Sequence, residues 1–180
     1  LVSTPALPFV LVLGGAKVSD KSGVLQNVLD KASMVLVGGA FANPFLKAQG
    51  HAVGSSLIES VFVDQAKGTQ FDAVEVAGSI LERASGASLP EELTTVAEGL
   101  TKVLLPEDVV IANKTEDGAI DGASKREARV ITGETLCNET EAIFDIGPQT
   151  AAVYCEIIQK AKTVFWNGPM GLIEDENFAH

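Results

Sequence analysis

Residues 9–21 read FVLVLGGAKVSDK: an apolar run of five residues ends at two glycines, and Lys17 and Lys21 follow. Consecutive apolar residues without polar alternation are typical of a strand that is covered on both faces, as in parallel sheets. The glycines let the backbone pass close to a ligand, because no Cβ atom blocks the approach. This stretch predicts a buried strand that ends in a close-approach turn.

The same pattern recurs along the chain and decides the fold class. Apolar runs that end at glycine lie at residues 34–37, 142–146 and 163–166. Helix-like stretches lie at residues 22–32, 76–84, 91–101 and 148–161. Such alternation predicts an α/β fold with an open, doubly wound, mostly parallel sheet. Residues 112–141 are polar, and we expect a loop there with short strands around residues 128–132.

Composition narrows the possible partners. The chain has a formal net charge of −11, and we expect no nucleic-acid partner, because phosphate backbones require clustered Lys and Arg. No apolar run approaches the roughly 20 residues of a membrane span. The first residues lack the basic, apolar and small-residue regions of a signal peptide. We therefore expect a cytoplasmic protein that does not bind membranes.

The sequence offers little support for catalytic or metal-binding roles of cysteine and histidine. Cys137 and Cys155 lack metal-ligand spacing, and we expect free thiols in a reducing cytosol. His51 and His180 lie near neither a cysteine nor a paired carboxylate at ligand spacing, so we expect surface positions. The sequence predicts neither a zinc site nor a Ser-His-Asp triad.

The first glycine turn, Gly14-Gly15, suits a phosphate group. A helix that follows it would point free N–H groups and its positive dipole end at the turn. Lys17 and Lys21 would share one face of its first turn. A strand-to-helix turn with two solvated lysines explains the pattern equally well. The stretch is neither a Walker loop nor a G-x-G-x-x-G dinucleotide fingerprint.

Two further turns add candidate residues. The second glycine turn, Gly38-Gly39, is another close-approach turn. The third turn, residues 166–171, reads WNGPMG and suits a wall for a flat ring. Glu174 follows it and could accept hydrogen bonds from ribose hydroxyls, as acidic residues do in other nucleotide sites. A surface position for Glu174 is an equal alternative.

These motifs together resemble a known family. Residues 14–21, 38–39, 45–48, 104–106, 145–148 and 166–171, in that order, resemble the C-terminal domain of phosphoglycerate kinase. The resemblance implies a Rossmann-like, three-layer domain that binds MgATP or MgADP and faces an N-terminal domain holding 3-phosphoglycerate. The implied reaction is the reversible phosphoryl transfer of glycolysis and gluconeogenesis, from 1,3-bisphosphoglycerate and ADP to 3-phosphoglycerate and ATP.

The resemblance also assigns roles to individual residues. Lys17 and Lys21 would reach the nucleotide phosphates and act in catalysis, with Lys21 on the transferred group. Asn167 would approach the phosphates, and Glu174 would hold the ribose. The adenine pocket would be lined by small and apolar residues: Gly14, Gly15, Ala16, Gly38, Gly39, Leu57, Phe144, Gly168, Pro169 and Met170.

No general base is needed for this chemistry, because the acceptor is a carboxylate that is already ionised at neutral pH. What remains is to align two anions and to neutralise the charge on the transferred group. Closure of the two domains would exclude water from the site.

Some positions depart from the family pattern. Ala40 replaces the family's third glycine, and Asn43-Pro44 stands where an aromatic residue and a threonine are usual. A proline there is expected to shift the helix start and to alter the adenine pocket. Ser22 replaces an aliphatic residue, and residues 60–102 look longer than the family needs, as if one helix or loop were inserted.

We interpret residues 1–180 as one nucleotide-binding domain, a partial chain that is expected to be monomeric. It would lack the N-terminal substrate domain and the family's Gly-Gly-Gly-Asp turn, whose aspartate holds Mg²⁺. No metal ligand is therefore assigned within it, and we expect no turnover by this chain alone. A non-catalytic nucleotide-binding module or scaffold remains an alternative. A Rossmann oxidoreductase is disfavoured, because its fingerprints are missing.

Overall fold

The computed structural model describes residues 4–17, 19, 21, 28–59, 61–64, 69–94, 100–115, 119–122, 126–132, 134–175 and 178. A parallel sheet of four strands forms its centre, in the order β11, β1, β2, β6. These strands are β1 (Phe9–Leu13), β2 (Met34–Val37), β6 (Val103–Leu104) and β11 (Thr163–Asn167). The predicted strands at residues 9–13, 34–37 and 163–166 are confirmed.

Helices cover both faces of this sheet. A 3₁₀ turn at Gly39–Ala42 runs directly into α1 (Asn43–Ala48). The other helices are α2 (Ala73–Ala84), α3 (Glu91–Thr94) and α4 (Pro148–Lys160). The predicted helix at residues 148–161 is confirmed, and the one at 76–84 forms most of α2. The predicted helix at 91–101 is helical only at Glu91–Thr94 among the described residues, and residues 22–27 of the first predicted helix lie outside them.

A second, antiparallel sheet lies beside the first. It contains β10 (Glu141–Ile146), β7 (Asp108–Asn113) and β8 (Glu127–Val130), in that order. The strand expected at residues 142–146 exists, but its place in a parallel sheet was wrong, because β10 pairs antiparallel with β7. A continuous apolar run is typical of parallel sheets but does not require one, because a strand of an antiparallel sheet can also be covered on both faces.

The remaining described strands form two separate pairs. The parallel pair is β3 (Ala52–Val53) with β9 (Thr135–Cys137). The antiparallel hairpin is β4 (Val61–Asp64) with β5 (Thr69–Asp72). The expected strand near residues 128–132 corresponds to β8, whereas β9 and the last residues of β7 fall in a region that we expected to be loop.

The core lies in two clusters, one on each face of the parallel sheet. Alternate residues of β1 point to opposite faces: Phe9, Leu11 and Leu13 join α1 and α2, whereas Val10 and Val12 join α3 and α4. This is the three-layer, doubly wound α/β arrangement that the sequence predicts.

Asp108, at the start of β7, holds the beginning of α4. Its buried carboxylate accepts hydrogen bonds from the backbone N–H of Thr150 (2.7 Å), the Thr150 hydroxyl (2.6 Å) and the N–H of Gln149 (3.1 Å). These are N–H groups that have no partner within the helix. The antiparallel sheet is thereby fastened to the helix that covers the parallel one.

Candidate functional site

The three glycine turns meet at the carboxyl ends of β1, β2 and β11. Gly14 donates its N–H to Asn167 O (3.0 Å), and Gly15 donates to Pro169 O (2.7 Å). Gly39 donates to Met170 O (2.6 Å). The strand order changes direction between β1 and β11, and such switch points form the ligand crevices of open α/β sheets.

Glycine is required where the three turns meet, for two reasons. Gly15 (φ +89°), Gly39 (φ +61°) and Gly168 (φ +89°) adopt the left-handed backbone that other residues avoid. A Cβ atom on Gly168 would also lie 2.5 Å from Gly14 O. The glycines are therefore used for close approach between segments of the chain itself.

The Met170 side chain lies across the first and second turns. A Cβ atom on Gly14 would come within 2.7 Å of Met170 Cε, and one on Gly38 would overlap Met170 Sδ. Ile146, at the end of β10, approaches Gly38 from the other side, 3.1 Å from the same hypothetical Cβ. Met170 and Ile146 thus fill the space beside the second glycine turn.

The two lysines differ in environment. Lys21 is buried, with 7% of its surface exposed, and its Nζ would lie 3.1 Å from a Cβ atom on Gly15. Lys17 is exposed, as is Ala16. The alternative of two solvated lysines therefore fails for Lys21. Between them, Ser19 donates its N–H and its hydroxyl to the Glu59 carboxylate, at 2.8 and 2.6 Å.

Beyond the third turn, the chain packs against β10. Trp166 is 57% exposed and donates its indole N–H to Gly168 O (2.8 Å). Leu172 donates to Phe144 O (2.9 Å), which places the candidate pocket residue Phe144 beside this segment. Glu174 is exposed, two residues farther along.

Leu57 lies on the opposite side, near α1. It is 53% exposed, and its carbonyl accepts a hydrogen bond from Asn43 Nδ2 (2.9 Å). Asn43 is fully buried, and its Oδ1 has no hydrogen-bond partner among the described residues. Pro44 lies in the first turn of α1, which continues directly from the 3₁₀ turn.

A cleft of about 910 Å³ borders the third turn on the α4 side. Its lining is largely apolar and includes Ile146, Tyr154, Ile158, Trp166 and Met170. This cleft was not predicted from the sequence. Its α4 wall includes Ala151, Tyr154 and Ile158, which lie on one side of the helix.

Within the described part of the chain, no group of three or more His, Cys, Asp or Glu side chains could hold a metal ion. Cys137 and Cys155 are free thiols, as predicted. His51 is half-buried, rather than on the open surface, and His180 lies outside the described residues. None of the described helices combines the length and apolar character that a membrane crossing requires.

Comparison with known sequences identifies relatives over the whole chain. A sequence model of the phosphoglycerate kinase family matches residues 1–180. A phosphoglycerate kinase from Clostridium perfringens is 42% identical over 177 residues, which are 98% of this chain and 36% of that protein. One from Herpetosiphon aurantiacus is 38% identical over 175 residues, or 97% of this chain and 36% of the relative.

Solved structures give the same relationship. The phosphoglycerate kinase of Coxiella burnetii superposes with a TM-score of 0.74 at 34% identity, over 99% of this chain and 38% of that one. The enzyme from Pyrococcus horikoshii gives a TM-score of 0.67 at 30% identity, with the same coverage. The chain spans about 36% of the length of the curated relatives it matches.

Proposed function

Because this chain belongs to the phosphoglycerate kinase family, we propose that it supplies the nucleotide site of a kinase that transfers a phosphoryl group between ATP and 3-phosphoglycerate. The acceptor is held by another part of the protein, and the chain's own contribution is to bind ATP or ADP. The direction that forms ATP starts from 1,3-bisphosphoglycerate, in glycolysis.

One observation carries this proposal: the glycine turns converge at the switch point between β1 and β11, and a buried lysine lies against them. Ligands of open α/β sheets bind at such points. The Lys21 side chain packs against Gly15, so a phosphate near the first turn would meet its ammonium group at close range. Little water would screen this interaction, because Lys21 is buried.

The proposed roles follow from position. Lys21 neutralises the charge that develops on the transferred phosphoryl group, and exposed Lys17 draws the polyphosphate towards the turn. Asn167, at the end of β11, lies beside the phosphates, and Glu174 accepts hydrogen bonds from the ribose. Phe144, Leu57 and Met170 form the apolar sides of the adenine pocket, together with the three turns. The acceptor carboxylate is already ionised, so no side chain has to remove a proton.

Magnesium belongs to the nucleotide in this proposal. Mg²⁺ is commonly held by one or two carboxylates together with substrate phosphates. The described residues contain no cluster of three candidate ligands, so they do not by themselves form a metal cage.

The remaining proposals concern binding partners, oligomeric state and cellular location. The net charge of −11 opposes binding to nucleic acids and to anionic membranes. A net charge far from zero also opposes self-association, so we expect a monomer, and the family's metabolic role supports a location in the cytoplasm.

A calorimetric titration with MgADP tests the proposal. The wild-type chain should bind, and Lys17→Ala should weaken binding roughly threefold to tenfold, because one charge–phosphate contact is lost. Lys31→Ala removes an equally exposed lysine elsewhere and should leave the affinity unchanged. Absence of MgADP binding to a folded wild-type chain would refute the proposal.

A non-catalytic module is the second candidate, and one observation favours it. The N–H groups of Gly14, Gly15 and Gly39 are already bonded within the chain, so a ligand that needs them must first separate the turns. A coupled turnover assay on the longest natural form of the protein distinguishes the two. Nucleotide binding without turnover in that form would favour the module.

A further inference from the structure

Glu174 lies in the segment of residues 172–175, which is fastened on both sides. Leu172 donates its N–H to Phe144 O (2.9 Å) on β10. On the other side, Phe178 is 2% exposed, and its ring lies 5.4 Å from that of Phe144. Glu174 lies exposed between these two attachments, so its position depends on how firmly they hold.

Arg126, just before β8, completes the second attachment. Its Nη2 lies 3.2 Å from Asp175 Oδ2, and the two side chains are only 21% and 25% exposed. Its Cζ lies 5.4 Å from the centre of the Phe178 ring. One guanidinium therefore contacts both Asp175, the residue after Glu174, and the ring of Phe178.

We propose that Arg126 is a positioning residue for nucleotide recognition, which holds residues 172–175 so that Glu174 meets the ribose hydroxyls. This inference rests on the proposed function and adds to it a residue from outside the glycine turns. Arg126 itself contacts no part of the nucleotide in this arrangement. Its effect passes through Asp175 and Phe178.

The arrangement needs arginine in particular. A guanidinium can pair with a carboxylate at its edge while its flat face covers a ring, which an ammonium cannot do equally well. The pair is also more enclosed than the Arg83–Asp30 bridge, whose side chains are 49% and 81% exposed. Exposed bridges contribute little, because water screens them.

Without Arg126, the segment should be less ordered in the free protein. The nucleotide would then have to order it on binding, and this cost would lower the affinity. A partly buried ion pair and one cation–π contact together correspond to roughly a threefold to tenfold loss. This loss should appear only with nucleotides that possess the ribose hydroxyls.

The experiment compares MgADP with its 2′,3′-dideoxy analogue by calorimetric titration. Arg126→Ala and the nearly isosteric Asp175→Asn should each weaken MgADP binding and leave the affinity for the dideoxy analogue unchanged. Arg126→Lys should recover part of the loss, and the double variant should be no weaker than Arg126→Ala alone. Arg83→Ala, which removes an arginine from the exposed bridge, should bind both ligands like the wild-type chain.

Two results would overturn the inference alone: wild-type affinity for MgADP in Asp175→Asn and Arg126→Ala, or an equal loss for both ligands. Equal affinity of the wild-type chain for both ligands would also overturn it, because Glu174 would then not read the ribose. A folded wild-type chain that binds neither ligand would refute the proposed function, and the inference with it.

Discussion

The carboxylate of Glu59 holds Ser19 by two hydrogen bonds, one from its N–H (2.8 Å) and one from its hydroxyl (2.6 Å). Ser19 stands midway between Lys17 and Lys21 in the sequence. A negative charge is therefore fixed beside the place where the proposed function puts nucleotide phosphates. The same carboxylate orders this part of the chain and, in the proposed function, would repel the nucleotide.

Replacement of Glu59 by glutamine separates these two effects. The amide keeps one acceptor for Ser19, so most of the ordering should remain. Removal of a charge several ångströms from a phosphate is worth about 1 kcal/mol in partly exposed surroundings. We expect Glu59→Gln to bind MgADP about threefold to fivefold more tightly, with a smaller gain at high salt.

Titrations at low and high salt check this prediction, with Glu82→Gln on the exposed side of α2 as the charge-matched control. Weaker binding in Glu59→Gln would mean that the ordering of Ser19 outweighs the repulsion.

Gly38 is predicted to tolerate no side chain while Met170 is present. Its backbone is extended (φ −155°), so alanine would meet no backbone strain there. Its Cβ atom would overlap Met170 Sδ, and overpacking of this kind costs about 1–3 kcal/mol. We expect Gly38→Ala to lower the free energy of unfolding by that amount, measured by urea denaturation.

Met170→Ala should relieve the larger part of this cost, and the remainder should reflect Ile146, whose Cγ2 would lie 3.1 Å from the same Cβ atom. Gly122→Ala is the control, because a Cβ atom at Gly122 would meet nothing within 4 Å. A full cost for Gly38→Ala in the Met170→Ala background would show that another neighbour limits the turn.

The Arg129–Glu141 pair should make the free energy of unfolding decrease at acidic pH. Arg129 donates to both Glu141 oxygens, at 2.9 and 3.0 Å, and joins β8 to β10. Hydrogen bonding from Arg129 and from the Asn138 N–H lowers the pKa of Glu141, against an opposing effect of burial. A lowered folded-state pKa means that the stabilisation is present above the unfolded value of 4.5 and disappears as the pH falls through the folded value.

Glu141→Gln should therefore cost about 1–2 kcal/mol at pH 7. Its difference from the wild-type chain should shrink steadily below pH 4.5. Urea unfolding at several pH values measures both quantities. A difference that stays constant down to pH 3 would contradict the assignment.

The two cysteines should differ sharply in reactivity. Burial raises the pKa of Cys137 to about 11, whereas Cys155 is exposed on α4. Since the thiolate is the reactive form, a maleimide at pH 7.5 should label Cys155 in the folded chain and Cys137 only after denaturation. Cys155→Ser should abolish native labelling, and rapid labelling of that variant would contradict the prediction.

The sequence was informative wherever structure is local. The strand at residues 9–13 and the helix that opens with Pro148 follow from neighbouring residues, and their bounds were nearly correct. The convergence of the glycine turns was predictable, because strand ends of a parallel sheet share one edge. The partner of β10 was not, because buried strands of parallel and antiparallel sheets look alike in a sequence.

The contacts that could not be predicted join side chains that are far apart in the sequence. Nothing near Gly38 in the sequence indicates that Met170 will fill the space above it. The pairs Glu59–Ser19 and Arg126–Asp175 are of the same kind, since an isolated charge predicts only an exposed position. The resemblance to the family therefore predicted the site residues but not the side chains that hold them in place.

The contact between Asp108 and the start of α4 has a consequence for the order in which the molecule opens. The Thr150 N–H is held by a carboxylate from β7, so it cannot exchange its hydrogen with solvent when α4 merely frays. Exchange there requires the two sheets to part, and its rate should follow the slow collective opening of the domain. Thr150 would therefore be a single-residue probe of whether both sheets unfold together.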